Sequence, residues 1–285
     1  MKIAQIIQKL FVGGDWNIYI KKKSELSFES VRLPKGMWAA DPMLFKVDES
    51  NFVFAEIYDI KKKKAHIGLF ELVGGHPIYS GPIIEERYHM SYPCVFSCNQ
   101  SYYLIPETSA NGTIDIYKAN SFPYEWEKIK TLRENCKCVD STVLFYEDRF
   151  HLFTYEKSSG KWNLVHYLLD METLSIQETD RTLYENNTGR PAGYFFTEGG
   201  KLFRPSQDCS EKYGKNIIVN EVLSVNPYVE KKIGTLSSAD LGIGSQRVHT
   251  ISMNESFYVY DGFTEKIELL HGIKMYLRSK KKNGK

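Results

Sequence analysis

The sequence predicts an all-β fold, a five-bladed β-propeller, and three observations predict it. Aromatic residues make up 14% of the 285 positions, with 19 Tyr and 16 Phe, a composition suited to pleated surfaces where flat and branched side chains pack. Five segments share one layout of strand, short polar turn and second strand. They are ADPMLFKVDESNFVFAEIYD from Ala40, SYPCVFSCNQSYYLIPETS from Ser91, VDSTVLFYEDRFHLFTYEK from Val139, RPAGYFFTEGGKLFRPSQD from Arg190 and VHTISMNESFYVYDGF from Val248. Aligned on Asp41, Tyr92, Asp140, Ala192 and His249, they recur at steps of about fifty residues, a period that fits four-stranded blades.

Taken in order, residues 3–11 carry a 3.6-residue apolar period and predict a short N-terminal helical segment. WNIYI, Trp16 to Ile20, reads as a strand outside the five units. It is expected to close the ring on the last blade, which removes an exposed sheet edge. Blades then begin near residues 39, 90, 138, 190 and 247, and HIGLFEL, GTIDIYKA, WNLVHYLLD and KNIIVNEVLS supply third strands. Lys61–Lys64 reads as a solvated hairpin tip, and the basic tail RSKKKNGK from Arg278 as disordered. Residues 1–285 are thus read as a single propeller domain.

Composition narrows the function. A net charge of +2 argues against a nucleic-acid partner. Five cysteines without a CxxC pair give neither a disulfide framework nor zinc spacing. The N-terminus is too short and too polar for a signal peptide, and no stretch reaches transmembrane length. The expectation is a reduced, cytoplasmic chain with no cofactor and no metal.

Propeller geometry gives the acids their meaning. The first strand of each blade lines the axis and the second returns to the same end, so strand-one starts and strand-two ends meet at one mouth. Asp41 and Glu56 take these places in blade one. The other blades bring Ser91, Tyr92 and Glu107; Asp140 and Glu156; Arg190, Arg204, Gln207 and Asp208; and His249 and Asp261, with His89 just ahead of blade two. Converging carboxylates, arginines and histidines shift one another's pKa values, as acid–base chemistry needs. The same residues also admit a plainer reading as solvated strand ends and neutralising pairs. His66, His151 and His166 lie inside strand patterns and read as structural.

ADPMLF, with its axial acid, resembles the first blade of the five-bladed carbohydrate-active propellers, among them arabinanases, β-xylosidases, invertases and levansucrases. The longer pattern MSYPCVF, YYLIPETS, VDSTVLF, RPAG, LFRPSQDCSEKYG and VHTIS resembles the N-terminal domain of glucosamine inositolphosphorylceramide transferases and their bacterial relatives, over roughly residues 13–265. The hydrolase resemblance implies three funnel carboxylates. Asp41 matches the base or nucleophile and Asp140 the acid that tunes it, whereas blade four opens RPAG with no acid and Glu198 falls in its turn. Under this resemblance Glu107 of blade two would be the substitute proton donor; the alternative is a domain that does not hydrolyse glycosides.

Two functions follow from the resemblance. One is an enzyme acting on a glycosyl bond, by hydrolysis or transfer, in surface-polysaccharide or glycolipid metabolism. Asp41, Asp140 and Glu107 would be catalytic. Trp38, Glu56, His89, Tyr92, Glu156, Arg190, Arg204, Gln207, Asp208 and His249 would bind substrate, with Trp38, Tyr92 and Tyr194 stacking on sugar rings. The other is a non-catalytic module that binds a glycan or glycolipid headgroup and presents it to a partner glycosyltransferase.

Overall fold

A computed structural model describes residues 12–184 and 186–267. The helical segment expected at 3–11 and the tail from Arg278 lie outside the described residues. The chain forms five four-stranded antiparallel sheets. Blade one is β3 (Met37–Val47), β4 (Ser50–Asp59), β5 (Lys64–Val73) and β6 (His76–Ile84). Blade two is β7 (Ser91–Cys98), β8 (Ser101–Thr108), β9 (Thr113–Ser121) and β10 (Glu125–Arg133). Blade three is β11 (Cys138–Tyr146), β12 (Arg149–Ser158), β13 (Lys161–Asp170) and β14 (Ser175–Leu183). Blade four is β15 (Phe196–Glu198), β16 (Lys201–Asp208), β17 (Asn216–Ser224) and β18 (Val229–Leu236), followed by one helical turn, α1 (Ser238–Leu241).

Blade five joins both ends of the described chain. Its order is β19 (Ile251–Met253), β20 (Phe257–Ile267), β1 (Val12–Lys22) and β2 (Glu29–Ser30). β1 pairs with β20 along its whole length, from Val12 opposite Ile267 to Lys22 opposite Phe257. The N-terminal strand therefore covers the edge that β20 would expose.

Burial follows strand position. The inner strands β3, β4 and β5 each carry an unbroken central run of buried residues, whereas the outer strand β6 alternates exposed and half-buried positions, as a sheet with one wet face does. The core lies between blades rather than at one centre. One cluster joins Met43 and Phe54 of blade one to Leu104 of blade two and Leu152 of blade three. A second joins Ile18 and Val259 of blade five to Val53 of blade one. Each fully buried Phe or Leu contributes about 1.5–3 kcal/mol.

Two-residue turns end the inner hairpins away from the mouth. Asn99 and Gln100, Glu147 and Asp148, and Gly199 and Gly200 all have positive φ, the turn geometry whose twist matches the flanking strands.

The same local irregularity shapes the axis three times. The β3–β4 register breaks between Ala40 and Met43, β7–β8 between Ser91 and Cys94, and β11–β12 between Val139 and Thr142. Each break holds a residue in the left-handed region: Asp41 at φ 50, Tyr92 at φ 46 and Asp140 at φ 50. These are β-bulges, which re-aim a side chain out of the ladder. Pro42 and Pro93 fit because a bulge asks no ladder hydrogen bond of them.

Candidate functional site

The bulges aim two acids at the mouth, and a neighbouring blade holds each of them. Asp140 is fully buried, and its backbone N–H donates to Glu107 Oε2 at 3.3 Å. Arg190 clamps it from blade four: Nε donates to Asp140 Oδ2, and Nη2 reaches Asp140 Oδ1 at 3.1 Å and Glu107 Oε2 at 3.4 Å. Gln207 Nε2 adds a bond to Asp140 Oδ2 at 2.7 Å and another to Pro191 O at 3.0 Å. Burial pushes Glu107 well above the usual carboxylate range, and the Asp140 charge adds to this against the pull of Arg190. Ser109 Oγ donates to its other oxygen at 2.6 Å. Burial and the Asp140 charge thus favour the neutral form of Glu107 beside a paired carboxylate, an arrangement suited to proton donation.

Asp41 sits across the mouth in a similar hold. Its backbone N–H donates to Asp261 Oδ2 at 3.1 Å, and Thr250 Oγ1 donates to Asp41 Oδ1 at 2.9 Å. Burial raises its pKa to about 8; His249 pulls it down while Asp140, Glu56 and Asp261 push it up. His249 Nε2 lies 3.6 Å from Asp41 Oδ1, and Nδ1 lies 2.5 Å from Asp261 Oδ2, close but out of line for a hydrogen bond. Trp16 stacks on the His249 ring with centroids 3.9 Å apart, fixing its plane. Burial alone would lower the His249 pKa, but Asp261 and Asp41 outweigh it and raise it.

Asp41, His249 and Asp261 each offer a donor atom within 4.8 Å of the others. Asp261 is already spent: Oδ1 accepts the backbone N–H groups of His249 and Thr250 at 3.0 and 2.9 Å, and Oδ2 that of Asp41. Three of its roughly four acceptor sites are thus taken by backbone N–H groups. The trio is a positioning network for Asp41.

The rim carries a third pair and the aromatics. Glu56 Oε1 lies 3.2 Å from His89 Nε2, while His89 Nδ1 accepts the Ala65 N–H at 3.1 Å. Burial would lower the His89 pKa, yet the bond to Glu56 and the charges of Glu56 and Asp41 raise it. Trp38 stacks on Tyr58 at 4.7 Å, and Tyr58 stands 6.2 Å from the His89 ring. Tyr213, 42% exposed, lies under the Arg190 guanidinium at 5.2 Å and edge-on to His249.

The structure brings together Asp41, Glu56, His89, Glu107, Asp140, Arg190, Gln207 and His249. It places several other sequence candidates elsewhere. Tyr92 is wholly buried at the axis, bonded through its hydroxyl to Thr142 Oγ1 at 2.8 Å and the Gly193 N–H at 2.7 Å. It ties three blades together and offers no face to a sugar. Tyr194 is likewise spent, its hydroxyl bonding the N–H and C=O of Val95 at 3.0 and 2.8 Å.

Glu156 pairs with Cys138, one step past Tyr155, which is the residue that matches Glu56 and Glu107 in register. A one-residue offset turns a strand side chain to the other face. Glu156 instead receives Arg133 at 2.7 Å and Arg181 at 2.8 Å. Arg204, on the face of β16 opposite Gln207, binds Glu230 with Nε and Nη2 at 2.8 and 2.7 Å. Asp208 turns into its own loop and accepts Ser210 N–H and Oγ at 3.1 and 2.6 Å.

Thr250, Trp16 and Tyr213 escaped the sequence reading. Trp16 belongs to the closing strand and Tyr213 to the loop CSEKYG, and no spacing marks either. Thr250 follows His249, so its proximity to Asp41 could have been inferred once blade five met blade one.

The fold has solved counterparts. The chain is similar to a thermostable family-43 glycoside hydrolase, with a TM-score of 0.61 and 11% identity over 81% of this chain and 89% of that one. It is similar to an α-L-arabinofuranosidase from Clostridium thermocellum at a TM-score of 0.61 and 11% identity, over 78% and 81% of the two chains. At such identity the likeness is one of fold. By sequence, the chain is 28% identical over 237 residues to glucosamine inositolphosphorylceramide transferase 1 of Arabidopsis thaliana, covering 78% of this chain and 30% of that protein. It is 28% identical over 200 residues to the protein of that name from Oryza sativa subsp. indica, covering 63% and 25%. The chain thus spans 30% or less of the length of these curated relatives. A family model described as glucosamine inositolphosphorylceramide transferase 1, N-terminal, matches residues 27–240, and the chain belongs to that family.

Proposed function

We propose that this chain is a carbohydrate-active propeller that acts on a glycosyl bond within glycolipid or surface-polysaccharide metabolism. The carrying observation is Glu107. Raised well above the carboxylate range and held against Asp140 by Arg190, it supplies at the mouth the acid that blade four lacks. In this reading Glu107 protonates the leaving glycosidic oxygen as its bond to the anomeric carbon breaks. Asp41, once ionised, takes the proton of the incoming water or acceptor hydroxyl, or itself attacks the anomeric carbon. Asp140 orients Glu107 through its N–H, and its carboxylate anchors the Arg190 guanidinium beside Glu107. Trp38 and Tyr213 provide ring faces for stacking. The names of the plant relatives support the glycolipid setting.

A second reading has one specific observation in its favour. The plant relatives extend far beyond the matched region, and this chain covers 30% of the Arabidopsis protein. A propeller of this kind would then hold a glycan headgroup for a glycosyltransferase on another domain or partner.

One incubation separates the two. Wild type, Asp41→Asn and Glu107→Gln are mixed with pooled surface glycans, glycolipids, aryl glycosides and nucleotide sugars, and products are followed by mass spectrometry. A product formed by wild type and absent from both variants is the expected result. Glycan retained by all three proteins with no product from any of them would leave the binding module.

A further inference from the structure

The join between blades two and three holds two thiols in contact. Residues 134–137 link β10 to β11, and Glu134, Asn135 and Lys137 are exposed while Cys136 is buried. Cys138, the first residue of β11, pairs with Glu156 of β12. Residues i and i+2 of an extended chain point to one side, and both the S–H and the backbone N–H of Cys138 donate to Cys136 Sγ. Arg133 stands beside the pair, held by Glu156 Oε1 at 2.7 Å. The Cys138 donors and the Arg133 charge hold the Cys136 thiol below its usual value against burial, while the bond to Cys136 and burial raise Cys138. Cys136 is thus readied as a nucleophile, with a second thiol at hand. Cys94 and Cys98 of β7, by contrast, stand four strand residues apart, about 13 Å and out of disulfide reach.

The pair touches the supports of both acids at the blade two–three join. On one side the Cys136 N–H donates to Gly112 O at 3.0 Å, the Gly112 N–H donates to Ser109 O at 3.0 Å, and Ser109 Oγ donates to Glu107 at 2.6 Å. On the other, Cys138 lies two residues before Asp140, in the short stretch of ladder ahead of the register break. A change in the span from Cys136 to Cys138 therefore reaches both Glu107 and Asp140.

We propose that Cys136 and Cys138 are a thiol switch, closed by a hydroperoxide into an intrachain disulfide that loosens the hold on Glu107 and Asp140. The disulfide is independent of the reaction at the mouth; its effect on catalysis rests on the glycosyl-bond reading. With hydrogen peroxide, the Cys136 thiolate attacks one oxygen, the O–O bond breaks, and Cys136 becomes a sulfenic acid as the other oxygen leaves as water. The Cys138 sulfur then attacks the sulfenic sulfur, the S–O bond breaks, and a second water carries off the Cys138 proton. Two thiols and one peroxide give one disulfide and two waters. A fully extended chain sets residues i and i+2 about 6.6 Å apart, at the outer edge of the roughly 4.4–6.8 Å that disulfide Cα atoms span. Closure therefore contracts the segment, draws Cys138 away from Glu156 and pulls on the bulge. A thiol reductant reverses it.

The test is oxidation of the folded chain with hydrogen peroxide, then thiol blocking, digestion and mass spectrometry, on wild type, Cys136→Ser and Cys138→Ser. Wild type should lose two hydrogens from the peptide that holds both residues and regain them with dithiothreitol. Cys138→Ser should stop at a sulfenic acid on Cys136, which dimedone traps, and Cys136→Ser should keep Cys138 as a thiol. A disulfide joining either residue to Cys94, Cys98 or Cys209, or free thiols at both positions after oxidation of wild type, would overturn the inference. Hydrogen exchange reads the coupling. Amides of residues 107–112 and 138–144 should exchange about tenfold faster in oxidised wild type, the worth of one or two backbone hydrogen bonds, and at an unchanged rate in peroxide-treated Cys136→Ser. Equal exchange in reduced and oxidised wild type would overturn the effect on the mouth. Failure of the catalytic reading looks different. The disulfide and the faster exchange would both remain, with no glycan product from reduced or oxidised protein.

Discussion

Asp261 Oδ2 accepts the backbone N–H of Asp41 at 3.1 Å, across the join between blades five and one. Glu107 Oε2 does the same for Asp140 at 3.3 Å, across the join between blades two and three. In both cases an acid on one blade's second strand holds the axial acid of the next. The bulge makes this possible, because a left-handed residue turns its N–H out of the ladder. Asp tolerates that conformation better than most side chains. The two acids are thus oriented before a substrate arrives, at a backbone cost that the neighbouring blade offsets.

Asp41 should make the fold less stable as pH rises. Its folded pKa of about 8 lies above the ordinary carboxylate value near 3.9. Between those values the folded state keeps a proton that the unfolded chain releases. The contribution is therefore full in acid and is lost as pH climbs to about 8. Asn fits at φ 50 and still accepts the Thr250 hydroxyl. Asp41→Asn should raise Tm, more at pH 8.5 than at pH 5, and at this size each kcal/mol recovered is worth about 2–4 °C. A variant no more stable at pH 8.5 than wild type would contradict burial as the cause.

Activity should have an alkaline optimum if Asp41 is the base. The rate rises as Asp41 loses its proton near pH 8 and falls where Glu107 loses its own. Glu107→Gln should lower kcat about 10²- to 10⁴-fold on unactivated glycosides, the usual worth of a positioned acid. Aryl glycosides with good leaving groups need less protonation, so they should lose less. A kcat/KM profile flat from pH 5 to 9 would remove both residues from the mechanism.

What the sequence made legible depended on its repeat. The fifty-residue period and the paired hairpins carried the propeller, because strand, turn and strand leave the same pattern in every blade. Asp41 and Asp140 were legible for the same reason: both follow a residue that closes the pairing and precede an apolar run. Glu156 was misplaced by one register step: it lies one residue farther from Asp140 than Glu56 does from Asp41, so Tyr155 takes the aligned place. Tyr92 occupies the aligned position, yet its hydroxyl binds Thr142 and Gly193, and a sequence does not show whether an axial tyrosine faces a lumen or fills it. Trp16 comes from the closing strand, which only ring closure brings to His249, and Tyr213 comes from an irregular loop that no spacing marks.

Arg204 and Glu230 should matter for stability and not for ligand. Both are buried, doubly bonded to each other, and joined by the Tyr228 hydroxyl. Burial opposes the charge on Glu230, but Arg204 and the two tyrosine hydroxyls beside it hold its pKa below the usual range. Glu230→Gln leaves Arg204 as an uncompensated buried cation and should cost about 3–5 kcal/mol. Replacing both by Met and Leu should cost less than either single change. Urea unfolding of the single and double variants measures this, and glycan binding at the mouth should be unchanged.

The buried pair of His151 and His166 should make the fold sensitive to acid. His151 Nδ1 and His166 Nε2 share a hydrogen bond at 2.8 Å, so one nitrogen must be an acceptor and at least one ring must be neutral. His166 Nδ1 meets Thr179 Oγ1 at 3.0 Å, and its ring stacks on Phe153 at 4.4 Å. Burial lowers the His166 pKa to about 4, with His151 adding to the shift and Asp180 opposing it. Burial lowers His151 as well, while the Tyr146 backbone opposes it. The unfolded chain takes up protons near pH 6.5 that the folded chain refuses. Stability from the pair is therefore complete above about pH 6.5 and falls as pH drops toward 4. The slope is opposite in sign to that of Asp41, so the two are separable in one series. A His151→Gln, His166→Gln double variant can keep a hydrogen bond and has no charge to gain. Its Tm should fall less steeply than wild type between pH 6.5 and 4.5, and parallel curves would show that the pair does not titrate with unfolding.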